Sequence, residues 1–261
     1  MAENVYREAI EKPSDRVIVA LDGMNWATAT EVMGEVGQYV GMAKANALAQ
    51  KPGWEATVQR FADLGAFTMA DAKYKDIPFT MENHLTEVAE CAPTLITIHA
   101  DNTLEAIQAA VVGRNKGKDN LVSPFHRACK DRLGGILGVT VLTSYSEDDA
   151  LSIYGDSPED KVVQFAYTSL EAGIDGIVCS PKELKAIRKI PQLDNLITVV
   201  PGITPAWTKK PDDQKRISTP TEAIQDGADF LVIGRAITKP PEGISRGEAA
   251  YRIAEEIWEA L

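Results

Sequence analysis

The chain has 261 residues, of which 44% are hydrophobic and 25% are charged, and its formal net charge is −11. This composition is typical of a soluble globular protein, and the negative charge argues against a nucleic-acid-binding protein, because phosphate backbones attract basic surfaces. No apolar run reaches the roughly 18 residues of a membrane span, and the first residues lack the apolar core of a signal peptide. Three widely spaced cysteines indicate reduced thiols, and three histidines show no metal-ligand spacing. We therefore expect a cytoplasmic protein without a metal site.

Short apolar runs typical of buried strands recur along the chain, and helix-like segments lie between them. The runs are Arg16–Leu21, Tyr39–Lys44, Ala66–Ala70, Leu95–His99, Ile136–Leu142, Gly176–Cys179, Leu196–Val200 and Phe230–Ile233. Near-continuous apolar strands are typical of parallel sheets that are covered on both faces.

Amphipathic segments between these runs predict helices. They are Glu55–Leu64, Met81–Glu90, Pro158–Ala172, Thr221–Asp226 and Gly247–Leu261. Thr103, Ser180 and Thr219 stand where helix N-caps are expected. The polar and basic stretch Gly113–Arg132 predicts an irregular insertion on the surface.

Eight strand–helix units in 261 residues predict a single-domain (β/α)8 TIM barrel, a fold of about 250 residues. Residues 1–14 would form an N-terminal extension. A doubly wound open sheet is the alternative, and it usually has a glycine-rich turn after its first strand. Here the first strand is followed by Asp22-Gly23-Met24-Asn25, which is not a G-x-G-x-x-G turn.

Polar side chains collect at the predicted C-terminal ends of the strands, where barrel enzymes place their active sites. They are Asp22, Lys44, Asp71, Lys73, His99, Thr143, Ser144 and Arg235, the last directly after Gly234. The densest group is Asp71-Ala72-Lys73-Tyr74-Lys75-Asp76, which follows an apolar run and precedes Ile77-Pro78. Residues two apart share a face of a strand, so Asp71 and Lys73 should point the same way.

A phosphate site is predicted after the last strand. Gly234 permits close backbone approach and Arg235 can bind phosphate oxygens, while Gly202 offers a second flexible turn after the preceding strand. The long segment 203–218 predicts a lid loop on the phosphate side, with Gln214 near its far end.

These segments resemble the orotidine 5′-phosphate decarboxylase family. The resemblance spans residues 16 to 238, and its most specific part is the string D-x-K-x-x-D-I-P-x-T. The matching segments, in the family's order, are Val19–Asp22, Asp71–Thr80, Val141–Ser144, Val200–Ile203, Asp213–Arg216 and Val232–Arg235.

The resemblance implies a dimeric, phosphate-binding barrel that converts orotidine 5′-phosphate to uridine 5′-phosphate and carbon dioxide without a metal or organic cofactor. Lys73 matches the lysine that protonates the pyrimidine C6, and Asp71 matches the carboxylate that faces the substrate carboxylate. Lys44 and Asp76 complete the charge array, with Asp76 reaching the site of the partner subunit.

The resemblance also implies the remaining substrate contacts. Asp22 and Lys44 match ribose-hydroxyl contacts, and Thr80 matches a ribose-side contact from the partner subunit. Thr143 and Ser146 match positions at the pyrimidine. Gln214, Gly234 and Arg235 match phosphate contacts.

Two departures from the family pattern stand out. Many bacterial relatives have arginine at the position of Thr204, and Lys209 or Lys210 could replace that cation. The segment after Lys44 also lacks the usual glycine. The nearest rival function is a magnesium-dependent sugar-phosphate enzyme of the same barrel group, but the expected acid after the second strand is absent from Lys44-Ala45-Asn46. A catalytically inactive binder of phosphate ligands is a second rival, and it would not need the charge array.

Overall fold

The computed structural model describes residues 4–121, 130–208 and 216–261. Eight parallel strands close into a barrel in chain order, with the last strand paired to the first. The strands are β1 Val17–Ala20, β2 Met42–Ala45, β3 Phe67–Tyr74, β4 Leu95–His99, β5 Gly135–Val139, β6 Gly176–Val178, β7 Ile197–Val200 and β8 Phe230–Ile233. The predicted (β/α)8 barrel is therefore confirmed.

Helices surround the barrel. They are α1 Val5–Glu8, α2 Trp26–Val36, α3 Gly53–Asp63, α4 Pro78–Glu90, α5 Leu104–Asp119, α6 Glu147–Tyr154, α7 Pro158–Ala172, α8 Leu184–Arg188, α9 Pro220–Gln225, α10 Arg235–Thr238 and α11 Arg246–Ala260. Within the described ranges, no helix has the length and apolar character that crossing a bilayer requires.

The strand predictions are confirmed, with shifted bounds at two strands that matter for function. β3 continues to Tyr74, so Asp71 and Lys73 lie within the strand and not after it. β5 ends at Val139, three residues earlier than predicted, so Thr143 lies in the following loop. The predicted bounds of both strands followed their apolar residues. The observed bounds follow the backbone pairing, which does not end at the same residues.

The three predicted caps are confirmed. The Thr103 hydroxyl accepts the N–H of Ala106 at the start of α5. Thr219 caps α9 in the same way, and Ser180 caps a short 3-10 turn that begins at Pro181. Each side chain satisfies a backbone donor that a helix start leaves unpaired.

The predicted irregular insertion over Gly113–Arg132 is wrong for its first part, because α5 continues to Asp119. Side chains at Gly113 and Gly117 would collide with the carbonyl oxygens of Glu82 and Thr86 in α4. The two glycines therefore permit close packing of two helices and do not form a loop. Residues 122–129 lie outside the described residues.

The N-terminal extension packs against the barrel at the N-terminal ends of its strands. Tyr6 of α1 is 3% exposed and belongs to the same buried cluster as Leu95 and Phe230. Its hydroxyl donates to the carbonyl of Leu133 at 3.3 Å. A side chain at Gly135, the first residue of β5, would collide with the Tyr6 ring. Tyr6 therefore belongs to the core of the barrel.

A buried carboxylate joins this extension to β7 and β8. Asp229, directly before β8, accepts from Arg7 Nε at 2.7 Å and from Arg188 at 2.7 Å, and also from the backbone N–H of Thr198 at 2.8 Å. Burial alone would raise the pKa of Asp229, but the hydrogen bond from Arg7 and the charge of Arg188 hold it below its ordinary value of 3.8.

We expect Asp229→Asn to lower the free energy of unfolding by about 3 kcal/mol, because two guanidinium groups lose their counter-charge. Because the pKa is lowered in the folded state, this stabilisation is complete above the ordinary pKa and disappears as the pH falls through the folded value. The difference between wild type and variant should therefore shrink below about pH 4. Urea unfolding at several pH values measures it.

Asp226→Asn is the matched control. Asp226 pairs at 3.2 Å with Lys185, whose side chain is 71% exposed, so its loss should cost less than about 1 kcal/mol. Equal destabilisation by the two substitutions would contradict the role of Asp229.

Candidate active site

A cavity of about 800 Å³ opens at the C-terminal ends of the strands. Seven of the predicted site residues line it, and these come from the ends of β1, β2, β3 and β8 and from the loop after β5. They are Asp22, Lys44, Asp71, Lys73, Thr143, Gly234 and Arg235. The rule that barrel sites lie at this face therefore brings together residues that are far apart in the chain.

The Asp71 carboxylate lies on the cavity wall and forms ion pairs with two ammonium groups. Its Oδ2 atom lies 2.9 Å from Lys44 Nζ and 2.6 Å from Lys73 Nζ. Its Oδ1 atom accepts the hydroxyl of Thr97 at 3.0 Å. Lys44 also donates to Asp22 at 2.7 Å. Charges of opposite sign therefore alternate along the wall from Asp22 to Lys73.

The two buried members of the array, Asp71 and Lys44, stabilise each other's charged forms. Burial alone would raise the pKa of Asp71, yet the charges of Lys44 and Lys73 hold it below the ordinary value. Burial likewise opposes the charged form of Lys44, but the charges of Asp71 and Asp22 outweigh it and raise the Lys44 pKa. Asp71 and Lys44 therefore favour their charged forms at neutral pH.

The backbone of β3 is unusual at Lys73. Its φ angle is +51°, in the left-handed region that side chains other than glycine rarely adopt. The alternation expected for a regular strand is therefore broken at this residue. The side chains of Asp71 and Lys73 nevertheless point to the same place, as the sequence predicted, and form an ion pair.

Two polar side chains that bind Asp71 from outside the cavity lining were not predicted from the sequence. Thr97 of β4 is fully buried and contacts both Asp71 and the backbone N–H of Lys73. Asn46, directly after β2, donates to the carbonyl of Asp71 at 2.7 Å. The one available signal for Thr97 was a hydroxyl within the apolar strand Leu95–His99.

A second part of the cavity wall is made of backbone turns. Gly202 follows β7 with a φ of +79°, and Gly234 follows β8 and precedes the short α10. Arg235 and Lys239 line the cavity beside Gly234. Thr204, the position where arginine was expected, is 7% exposed and also lines the cavity.

The predicted lid segment 203–218 is held at both ends. Ile203 and Ser218 form a parallel bridge, and the Thr204 N–H donates to the Ser218 carbonyl at 2.9 Å. Gln214 lies outside the described residues, as do Lys209 and Lys210, so their predicted contacts with phosphate stay predictions.

Arg216 connects the end of this segment to the loop after β5. Its guanidinium pairs with Glu183, and both side chains are almost fully buried. It also donates to the carbonyl of Leu142 at 3.1 Å, next to Thr143. The position of Thr143 on the cavity wall therefore depends on a buried ion pair.

Three predicted residues lie away from this cavity. Asp76 and the segment up to Phe79 are exposed, and neither Asp76 nor Thr80 lines the cavity of its own chain. Ser146 caps α6: its hydroxyl accepts the N–H of Asp149 and donates to the Asp149 carboxylate. The structure thus gives Ser146 a local role and does not bring it to the cavity.

Comparison with known proteins agrees with the fold and the cavity. The family model described as orotidine 5′-phosphate decarboxylase / HUMPS family matches residues 15–250. The orotidine 5′-phosphate decarboxylase of Heliobacterium modesticaldum is 36% identical over 252 residues, which cover 95% of this chain and 97% of that protein. The enzyme of the same name from Anaeromyxobacter sp. is 35% identical over 240 residues, covering 91% of this chain and 97% of that protein.

Solved structures show the same architecture. The crystal structure of orotidine 5′-phosphate decarboxylase from Lactobacillus acidophilus matches with a TM-score of 0.74 at 27% identity, covering 94% of this chain and 99% of that one. The structure from Pyrococcus horikoshii matches with a TM-score of 0.69 at 22% identity, covering 93% and 99%, and supports the fold alone. Because the family model and these relatives cover nearly the whole chain, the chain belongs to the orotidine 5′-phosphate decarboxylase / HUMPS family.

Proposed function

We propose that this chain is a carboxy-lyase of pyrimidine biosynthesis that converts orotidine 5′-phosphate to uridine 5′-phosphate and carbon dioxide without a cofactor. The observation that carries the proposal is the buried carboxylate of Asp71 between the ammonium groups of Lys44 and Lys73, on the wall of a barrel cavity. Family membership supports the same reaction.

The array suits a reaction that develops negative charge on carbon. When the bond between C6 and the carboxylate breaks, its electron pair remains on C6 and carbon dioxide leaves. The Lys73 ammonium, 2.6 Å from Asp71, provides a fixed positive charge for that electron pair and then donates the proton that forms the C6–H bond. Solvent returns a proton to Lys73. Asp71 keeps Lys73 oriented and faces the substrate carboxylate.

The glycine turns are the proposed phosphate side of the site. Backbone N–H groups near Gly202 and Gly234, together with Arg235, offer donors for a phosphate dianion. Thr204 stands where a cationic arginine was expected. Lys239, four residues after Arg235, also lines the cavity. Lys239 therefore supplies the second positive charge in this proposal. Binding of the remote phosphate contributes to positioning the pyrimidine at Lys73.

The ribose and pyrimidine contacts follow from the remaining lining residues. Around the barrel, Asp22 after β1 and Lys44 of β2 lie between the glycine turns after β7 and β8 and Asp71 of β3. The ribose hydroxyls of the substrate would lie at this position. Thr143 lines the cavity from the loop after β5 and is proposed to contact the pyrimidine.

The active unit in this proposal is a homodimer. Asp76 and Thr80 flank two strongly exposed apolar side chains, Ile77 at 64% and Phe79 at 72%. Burial of these side chains against a second copy would bring Asp76 to the other cavity, as the resemblance implies. A cytoplasmic location suits a biosynthetic enzyme, and the free thiols of Cys91 and Cys179 agree with it.

The rival considered from the sequence is a magnesium-dependent enzyme acting on sugar phosphates, which is expected to have an acid after β2. In this chain Asn46 occupies that region, and its side-chain amide donates a hydrogen bond to the carbonyl of Asp71. Within residues 4–121, 130–208 and 216–261, no three acidic, histidine or cysteine side chains gather as metal ligands. The decarboxylase is therefore the better-supported function.

The first test is turnover by purified protein in the presence of EDTA. We expect loss of the ultraviolet absorbance of orotidine 5′-phosphate, and Lys73→Ala should lower kcat at least about 10⁴-fold while affinity for uridine 5′-phosphate stays within about tenfold. The variant loses the proton donor and keeps the phosphate contacts.

Lys75→Ala is the control, because Lys75 pairs with Asp101 at the surface and does not line the cavity. Its kcat should stay within about threefold of wild type. Activity that requires added magnesium, or substantial turnover by Lys73→Ala, would contradict the proposal.

A second prediction concerns Lys239. Lys239→Gln should weaken uridine 5′-phosphate binding about 10-fold or more and leave uridine binding unchanged, because charge-assisted hydrogen bonds contribute about 1.5–3 kcal/mol. Calorimetric titration measures both affinities. Thr204→Arg should restore part of the loss in the Lys239→Gln protein. Equal weakening of both ligands would show that Lys239 does not bind the phosphate.

A third prediction tests the shared site. Asp76→Ala and Lys73→Ala proteins should each be inactive, and subunit exchange between them should restore up to about a quarter of wild-type activity, since half the dimers are mixed and each has one intact site. Mass spectrometry of the mixture verifies exchange. Mixed dimers without activity would contradict a contribution of Asp76 across the interface.

A further inference from the structure

The pairing of β3 with β4 contains an offset at the charge array. Ala70 pairs with Ile96 and Tyr74 pairs with Ile98, and the register shifts between these two pairs. Three residues of β3, from Asp71 to Lys73, therefore lie opposite the single β4 residue Thr97. An offset of this kind is a β-bulge, which interrupts the ladder and redirects side chains.

The Thr97 side chain takes the place of the missing ladder bonds. Its Oγ1 atom accepts the backbone N–H of Lys73 at 3.0 Å and donates its proton to Asp71 Oδ1 at 3.0 Å. One hydroxyl thus contacts the first and the last residue of the bulge. Thr97 is 0% exposed, so these two partners are not replaced by bulk water.

The bulge holds Lys73 in a conformation that a regular strand would not adopt. A residue other than glycine at a φ of +51° carries a cost of about 1–2 kcal/mol, which surrounding contacts must offset. The bond from the Lys73 N–H to Thr97 is such a contact. The Asn46 bond to the Asp71 carbonyl holds the other end of the bulge from β2.

We propose that Thr97 is a positioning residue that sets the direction of the Lys73 ammonium by holding the β3 bulge closed. This inference rests on the proposed decarboxylation, in which Lys73 donates the proton. The Thr97 side chain does not line the cavity, and it acts through the backbone of Lys73 and the carboxylate of Asp71. Its loss should misplace the proton donor without removing any group that binds the nucleotide.

Thr97→Val is the test, because valine keeps the shape of threonine and removes the hydroxyl. We expect kcat to fall about 10- to 100-fold, since small misplacements of a reacting group have effects of this size. The affinity for uridine 5′-phosphate should stay within about threefold, because the phosphate and ribose contacts are on other strands. Thr97→Ser keeps the hydroxyl and should retain kcat within about threefold.

Thr68→Val is the matched control on β3. Thr68 is 2% exposed, and its hydroxyl has no hydrogen-bond partner among the described residues. Its replacement removes a buried hydroxyl without touching the bulge, so kcat should be unchanged. Thermal unfolding of all three variants separates loss of stability from loss of positioning.

Several outcomes would overturn the inference: full kcat in Thr97→Val, an equal loss in Thr97→Ser, or an equal loss in Thr68→Val. If Thr97→Val does not fold, Thr97→Cys replaces it, with kcat expected between those of wild type and Thr97→Ala. Cysteine and alanine variants of equal kcat would also overturn the inference. Absence of turnover in the wild type would instead contradict the proposed function, so the two failures are distinguishable.

Discussion

The organisation of the site depends on one buried carboxylate, that of Asp71, which has three donors around its two oxygens. A charged carboxylate in the interior is costly unless such partners surround it, and each partner is in turn held by it. Asp71 therefore fixes the positions of the Lys44 and Lys73 side chains on the cavity wall. Preorganised charge of this kind stabilises a transition state without rearrangement during the reaction.

The barrel separates this chemistry from the interactions that hold the fold. Asp71 and its partners lie at the C-terminal ends of the strands, whereas Asp229, Arg7 and Tyr6 bind the chain together at the other end. Both ends contain a buried carboxylate with two cationic partners. At the Asp229 end, Arg7 and Arg188 join the N-terminal extension to the barrel. At the Asp71 end, the Lys73 side chain is one-third exposed. Arg7 is exposed to a similar degree, at 36%, so the two clusters differ in that Lys73 lines the cavity and Arg7 does not.

Most of the fold was predictable because it depends on local patterns. Apolar runs identified all eight strands, and hydroxyl side chains before helices identified three caps. The prediction failed at Gly113–Asp119, where glycines and charges were interpreted as a loop. Those glycines permit close contact with α4, and a pairwise contact between helices has no signature within one helix. Ser146 is a different case, because its hydroxyl caps the start of α6, a local pattern like that of the three predicted caps.

The sequence by itself determined the residue types of the site, the barrel that gathers them and the family to which they belong. Asp71 and Lys73 are close in the chain, so their pairing could be inferred from spacing alone. Only the tertiary structure decided how Lys73 is aimed, because that depends on Thr97, 24 residues away along the chain and opposite the bulge. The backbone of β3 leaves regular geometry there, and the group that permits this lies on the neighbouring strand.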